Sequence, residues 1–288
     1  MNKQDGYISV QLSDQQFKKL SGYIEDSFGI RMPPTKRVML ESRLHKRLRA
    51  LGMDSFKDYL AHVFESPEGE NELINMIDSV TTNKTDFFRE PDHFEWMNRT
   101  VPEHIKNDSW GVDGNPLKVW SAASSTGEEA YTIAIVLEEL RRAYRDFDYD
   151  ILGTDLSTGV LNQAKKAVYP EARLAPVSHA LRSRYFLRSK DRSLGLYRVK
   201  KDLRKRVRLK RLNLMDADYG FRERFHIIFC RNVIIYFERP RQIQLITRLL
   251  NHLAPGGYLI LGHSETLAGA NLPVKSVAPT IYQRQEHG

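Results

Sequence analysis

The chain has 288 residues, 41% of them hydrophobic and 28% charged, enough apolar material for one large domain and a smaller one, both folded and soluble. Its formal net charge is +8, yet the excess is local: between Arg182 and Arg211 fourteen Lys or Arg stand against Asp191 and Asp202, so the remainder is net acidic. No stretch nears the roughly 18 uninterrupted apolar residues of a membrane span, the first thirty residues lack a basic start followed by an apolar run, and the lone Cys230 excludes an internal disulfide and a thiol-based zinc site. The expectation is a cytoplasmic chain with no metal and no membrane insertion.

From Leu12 to about Val80 the pattern is helical. Ser13 and Gln16 form a capping box ahead of Phe17, Leu20 and Ile24, and Gly29 stops that helix. Thr35 is expected to open a second helix carrying Leu40, Leu44, Leu48 and Leu51 up to Gly52. Ser55 starts a third with Phe56, Leu60 and Val63, and a fourth carries Leu73, Ile74, Ile77 and Val80. Opposite the leucines of the second helix lie Lys36, Arg37, Arg43, Lys46, Arg47 and Arg49. Such a cationic face is either merely solvated or a dock for an acidic helix or a nucleic acid backbone.

Beyond Thr81 strands and helices alternate, the signature of a sheet with crossover helices. Leu117–Ala122, Asp150–Asp155, Arg206–Leu214, Phe225–Cys230, Tyr258–Leu261 and Thr280–Arg284 read as strands. Helices follow Glu129, run through Val160, Leu161, Ala164 and Val168, and span Pro240–Leu253. Residues 178–205 are too many for an ordinary connection of 2–6 residues. There Leu196–Val199 and Val207–Leu209 alternate like half-exposed strands, so a small antiparallel flap bearing the cationic segment is expected. The domain bounds so read are a helical domain over 1–80, a linker over 81–100 that contributes to the site, and an α/β domain over 101–288 with its flap.

In an open parallel sheet ligands sit beyond the carboxyl ends of the strands, and the chemistry-bearing residues fall at those ends. Ser121 to Glu129 follows the first strand and opens a helix. It has no G-x-G-x-x-G signature, and two acids at the helix start would repel a pyrophosphate, which speaks against NAD or ATP. A cationic ligand suits it. S-adenosyl-L-methionine carries a sulfonium and an amino group, and Glu129 is placed to accept from that amine; read alone, Glu128 and Glu129 serve equally as acids complementing a helix dipole. Asp155 ends the second strand, where an acid accepts ribose hydroxyls in dinucleotide-like folds, although its spacing from Gly127 is somewhat longer than the usual 20 or so residues. Asn213 and Asn232 end the third and fourth strands and offer amides that both donate and accept.

Four motifs now carry a resemblance. Trp120-Ser-Ala-Ala-Ser-Ser-Thr-Gly-Glu-Glu-Ala-Tyr131, Thr81-Thr-Asn-Lys-Thr-Asp-Phe-Phe-Arg-Glu90, Phe229-Cys-Arg-Asn-Val-Ile-Ile-Tyr-Phe237 and Gly262-His-Ser-Glu265 together resemble the chemotaxis receptor methyltransferases, CheR, over nearly the whole chain. The likeness implies a class I S-adenosylmethionine-dependent methyltransferase: α/β, Rossmann-like, with a mostly parallel sheet, a small all-α N-terminal domain and an inserted antiparallel β flap. It implies that Asn83, Thr85, Arg89, Glu129, Asp155, Asn213, Leu214, Asn232 and Val233 line the cofactor site, with S-adenosyl-L-homocysteine as product. The acceptor it implies is a glutamate carboxylate on acidic cytoplasmic helices of a bacterial chemoreceptor, with Arg89 and Tyr236 positioning that carboxylate and Arg43, Lys46 and Arg47 docking the receptor. A monomer is expected. Two departures stand out: Ala130 replaces a frequent proline at the first helical turn, and Ser189–Leu194 lacks the glycine that flap loops binding a receptor's C-terminal pentapeptide tend to have, which puts tethering in doubt.

The basic segment and high pI also suit a nucleic-acid methyltransferase. Amine-directed enzymes of that kind resemble a motif with prolines after the strand-four Asn, whereas Asn232 is followed by Val-Ile-Ile-Tyr, so no nucleic acid is expected. A non-catalytic cofactor-sensing scaffold is the other alternative; the presence of Arg89, Asp155 and Tyr236 argues against it.

Overall fold

The computed structural model describes residues 10–107, 109–112 and 114–285. The chain divides into two compact units, Met1–Thr82 and Asn83–Gly288.

The first unit is all-helical: α1 (Asp14–Phe28), α2 (Arg37–Leu51), α3 (Phe56–Glu65) and α4 (Gly69–Val80). The capping box forms as read, with Ser13 and Gln16 exchanging bonds, and Gly29 ends α1 at φ 73°, a left-handed position where glycine has no Cβ penalty. Thr35 does not cap α2; a 3-10 turn over Pro34–Lys36 precedes it, because two prolines preset that backbone and leave Thr35 inside the turn. Leu40, Leu44 and Leu48 are fully buried with Phe56, Tyr59, Leu60, Met76 and Ile77. Leu51 is exposed, and Leu73 and Ile74 are only half-buried, because α4 turns Glu72 and Met76 inward instead.

That inward acid changes the reading of α2. Arg47 donates to both oxygens of Glu72, at 2.9 and 2.7 Å, and the Tyr59 hydroxyl donates to Glu72 at 3.0 Å. Arg43 reaches the Val80 and Thr81 carbonyls and the Thr82 hydroxyl. Two of the three arginine and lysine side chains assigned to docking therefore hold the helical unit together; Lys46 is exposed.

The second unit begins with α5 (Asp92–Lys106), which sends Phe94, Trp96, Met97, Val101 and Ile105 into the core. The stretch read as a linker over 81–100 is thus mostly part of this unit, since its apolar face needs the sheet to cover it. There follow β1 (Leu117–Ala122), α6 (Glu128–Ala143), β2 (Tyr149–Asp155), α7 (Thr158–Lys166), β3 (Val168–Pro170), α8 (His179–Tyr185), β4 (Phe186–Arg188), β5 (Leu196–Val199), α9 (Lys201–Lys205) and β6 (Val207–Arg211). The chain closes with β7 (Phe225–Cys230), α10 (Arg239–His252), β8 (Leu253–Leu261), β9 (Val274–Ala278) and β10 (Ile281–Arg284).

Seven strands form one sheet in the order β6-β2-β1-β7-β8-β10-β9. The first five are parallel, while β10 runs antiparallel between β8 and β9. The order reverses between β1 and β7, so their carboxyl ends flank the crevice in which such sheets bind ligands. A separate antiparallel sheet, β3-β5-β4, is the inserted flap. Its bounds differ from the expectation: Val168–Pro170 joins it, whereas Val207–Leu209 belongs to the main sheet, parallel to β2. β6 is an edge strand with one solvated face, and that alone produces the alternation mistaken for a hairpin arm. The β4–β5 loop also runs one residue past Leu194 to Gly195, at φ 55°, so the flap turn does contain a glycine.

Candidate functional site

The β1–α6 loop is laid out by its backbone. Ala123, Ser125 and Gly127 take φ values of 63°, 49° and 96°. At Gly127 a Cβ would stand 2.8 Å from the Ala164 Cβ, so only glycine closes the turn against α7. The loop is pinned to the next strand end by Asp155, whose Oδ2 accepts from the Ser125 N–H and whose Oδ1 accepts from the Ser157 N–H, both at 2.9 Å. Ser125 in turn donates from its hydroxyl to the Asn83 carbonyl at 2.9 Å. Asn83, the loop and Asp155 are therefore one connected piece.

A second piece centres on Arg231, absent from the residues singled out in sequence. Its side chain is 1% exposed and lies between two carboxylates, donating to Glu129 at 3.1 Å and to Glu90 at 2.8 Å. It also donates to the Arg89 carbonyl. Glu129 accepts further from the Ser121 hydroxyl at 2.7 Å. Burial raises the pKa of Glu129, with Arg231 and Ser121 opposing that rise. At Glu90 burial pulls the same way, but the bond and charge of Arg231 outweigh it and hold the carboxyl below its ordinary value.

Glu90 also accepts from the Asn232 side-chain amide at 3.1 Å. Asn232 sits at φ 59°, a strained position for a residue with a Cβ, and Glu265 maintains it. The two oxygens of Glu265 accept four backbone N–H groups, from Asn232, Val233, Ile234 and Gly262, at 2.7–2.9 Å. Four donors saturate a carboxylate and leave no place for a proton. Burial nonetheless raises its pKa above the ordinary value, with those four bonds opposing the rise. The turn it shapes continues into the 3-10 segment Ile234–Tyr236, which presents Tyr236 half-buried.

Of the residues expected at the site, Asn83 and Asp155 are joined through the loop, and Glu129, Arg89, Asn232 and Val233 through Arg231, Glu90 and Glu265. The Arg89 guanidinium folds back on the Lys84 carbonyl at 2.9 Å and stays one-third exposed. Thr85 is buried and its carbonyl accepts from Arg173 at 2.6 Å. Asn213 caps its own turn, accepting from the Met215 N–H at 3.0 Å, and the Leu214 carbonyl accepts from Tyr219 and Arg248.

Carboxylates and amides at successive strand ends, with both terminal nitrogens of the nearby Arg231 already bonded to acids, make a set of polar groups suited to a cationic nucleoside and not to a polyphosphate. Comparison with known proteins agrees. Residues 83–282 match the CheR methyltransferase SAM binding domain and residues 15–81 the CheR methyltransferase all-alpha domain. The chain belongs to the CheR family. A chemotaxis protein methyltransferase of Borreliella burgdorferi is 34% identical over 278 residues, covering 96% of either chain. Chemotaxis protein methyltransferase 2 of Pseudomonas aeruginosa is 39% identical over 254 residues, 88% of this chain and 87% of that one. The Escherichia coli K12 chemotaxis protein methyltransferase is 36% identical over 273 residues, 95% and 92%. This CheR protein is an S-adenosylmethionine-dependent methyltransferase with the class I sheet and the all-α N-terminal domain of its family. No helix among the described residues is long and apolar enough to cross a membrane.

Proposed function

We propose that this CheR protein esterifies glutamate side chains on the cytoplasmic helices of bacterial chemoreceptors, in the service of chemotactic adaptation. The observation that carries the reading is the bridge through Arg231, which ties the cofactor-side acid Glu129 to the backbone of Arg89. One buried guanidinium thereby fixes the donor-side and acceptor-side residues in a common frame.

Asn83, Thr85, Arg89, Glu129, Asp155, Asn213, Leu214, Asn232 and Val233 would hold the cofactor, whose sulfonium supplies an activated methyl group and a neutral leaving group. A glutamate acceptor, with a pKa of about 4.3, is already an anion at neutral pH and needs no general base. What the protein adds is in-line placement, worth roughly 7–11 kcal/mol for well-oriented reactants. Arg89 would hold the carboxylate and Tyr236 steer it. A grip by Arg89 that is too tight would favour the charged ground state, because the acceptor loses its charge on methylation.

For docking, the exposed Lys46 on α2 meets acidic receptor helices, while Arg43 and Arg47 support the fold. The flap, with Gly195 in its turn, is the place for a receptor's C-terminal peptide. The same reading makes the protein a cytoplasmic monomer. The decisive experiment is transfer of labelled methyl groups into receptor fragments, with base-labile release marking an ester. Asp155→Ala, which unpins the cofactor loop, should abolish transfer; undiminished transfer would refute the cofactor assignment.

A further inference from the structure

The start of α5 and the turn after β8 bring together three groups that methyl transfer does not use as ligands. Glu90, His93 and His263 can each place one donor atom within 4.8 Å of the others. His93 is wholly buried, and its Nδ1 has no hydrogen-bond partner among the described residues. That nitrogen lies 3.6 Å from Glu90 Oε2. Two ligand atoms on one tetrahedral zinc, each about 2.0–2.1 Å from the ion, stand roughly 3.3–3.5 Å apart, so the pair is already close to ligating geometry.

The remaining nitrogens of both rings are occupied in the manner of metal-binding histidines. His93 Nε2 meets the Thr280 hydroxyl at 2.9 Å, and Thr280 is held at φ 58° to reach it. His263 Nε2 meets both oxygens of Asp92 at 3.0 Å. His93 thus has one nitrogen tethered to an oxygen and the other spare, and Asp92 holds the His263 ring. The rings stand nearly perpendicular, their centroids 5.1 Å apart.

Three acids and two bases surround the cluster: Glu90 and Glu129 pair with Arg231, Arg89 lies 4.0 Å from Glu90, and Asp92 meets His263. At His93 the Arg231 charge opposes a cation while Asp92 and Glu90 support one. The Glu90 carboxylate accepts from Arg231, Asn232 and the His263 backbone N–H, three of its roughly four acceptor places. An N,N,O set with an open fourth position is the composition of a borderline d-block ion site and not of magnesium or calcium, which take oxygen ligands.

We propose that Glu90, His93 and His263 form a site for one Zn²⁺ ion, with Asp92 and Thr280 orienting the two imidazoles. The test is competition of the full-length chain with a chromogenic chelator for Zn²⁺, together with the visible spectrum of the Co²⁺-loaded chain. One ion per chain and an intense tetrahedral Co²⁺ spectrum are expected. His263→Ala, at a half-exposed position that packing tolerates, should lower affinity at least about tenfold and abolish the spectrum; Asp92→Asn should cost about 10- to 100-fold, as loss of an orienting partner does. His179→Ala, on the remote helix α8, should change nothing. Equal affinity in wild type and His263→Ala, or an octahedral Co²⁺ spectrum, would overturn the site.

Discussion

Arg47 of α2 and Glu72 of α4 form a two-point ion pair inside the helical unit, with Glu72 4% exposed and capped further by Tyr59 and Asn75. Arg47→Ala leaves that carboxylate uncompensated, and removing one partner of a buried pair costs about 3–5 kcal/mol, less the share that Tyr59 and Asn75 still satisfy. A loss of about 2–3 kcal/mol, seen as a lower urea midpoint at unchanged m-value, is expected. Lys46→Glu should leave the midpoint unmoved while slowing methylation of receptor fragments. If Lys46→Glu methylates them at the wild-type rate, α2 is not the docking face.

Acid should find the same pair. At Glu72 burial raises the pKa, but the Arg47 and Tyr59 hydrogen bonds and the Arg47 charge prevail and hold it below its ordinary 4.5. A depressed folded-state value contributes stability that is complete above the unfolded value and fades as pH falls through the folded one. The urea midpoint of the helical unit should therefore drop below pH 4.5, and Glu72→Gln should flatten that dependence. A Glu72→Gln profile as steep as the wild type would assign the acid sensitivity elsewhere.

At the site, Arg231→Met should expose the mutual repulsion of Glu129 and Glu90. We expect a stability loss of about 3–5 kcal/mol and cofactor binding weakened at least tenfold. Arg231→Lys keeps the charge but replaces a planar fork that spans three acceptors with a point donor, so calorimetric titration with the cofactor should show an intermediate deficit. Wild-type affinity in the Met variant would mean that the bridge is ornamental to binding.

Glu265→Gln probes the turn from the other end. An amide offers one acceptor oxygen to four N–H donors and turns its own NH₂ toward two of them, an arrangement costing about 1–3 kcal/mol per unsatisfied group. Because Asn232 and Val233 ride on this turn, KM for the cofactor should rise more than kcat falls. A pure fall in kcat would place the effect at Tyr236 instead.

Local signals made much of this protein legible. Capping by Ser13 and Ser55 and the buried runs of β1, β2 and β7 are encoded within a few residues of where they act. Arg231, Glu90 and Glu265 were hidden because their partners lie far along the chain: Arg231 meets Glu129 across 102 residues and Glu90 across 141. A buried arginine reads in sequence like any surface arginine until its acids are placed beside it, and the pairing of Arg47 with Glu72 was hidden for the same reason. β9 went unseen because its apolar residues, Val274, Val277 and Ala278, do not alternate with the period of two that announces a half-buried strand.

The place of β10 has a bearing on how the protein is made. It follows β9 in sequence, yet it sits between β8 and β9, and Thr280 at its threshold meets His93, 187 residues earlier. The second unit's sheet cannot be completed on a ribosome until β10 has left the exit tunnel, whereas the helical unit, emerging before it and held by contacts within about 80 residues, can fold while synthesis continues. A nascent chain halted before Thr280 should therefore carry a protease-resistant amino-terminal unit followed by an unfinished sheet, open along β8 and a natural substrate for chaperones.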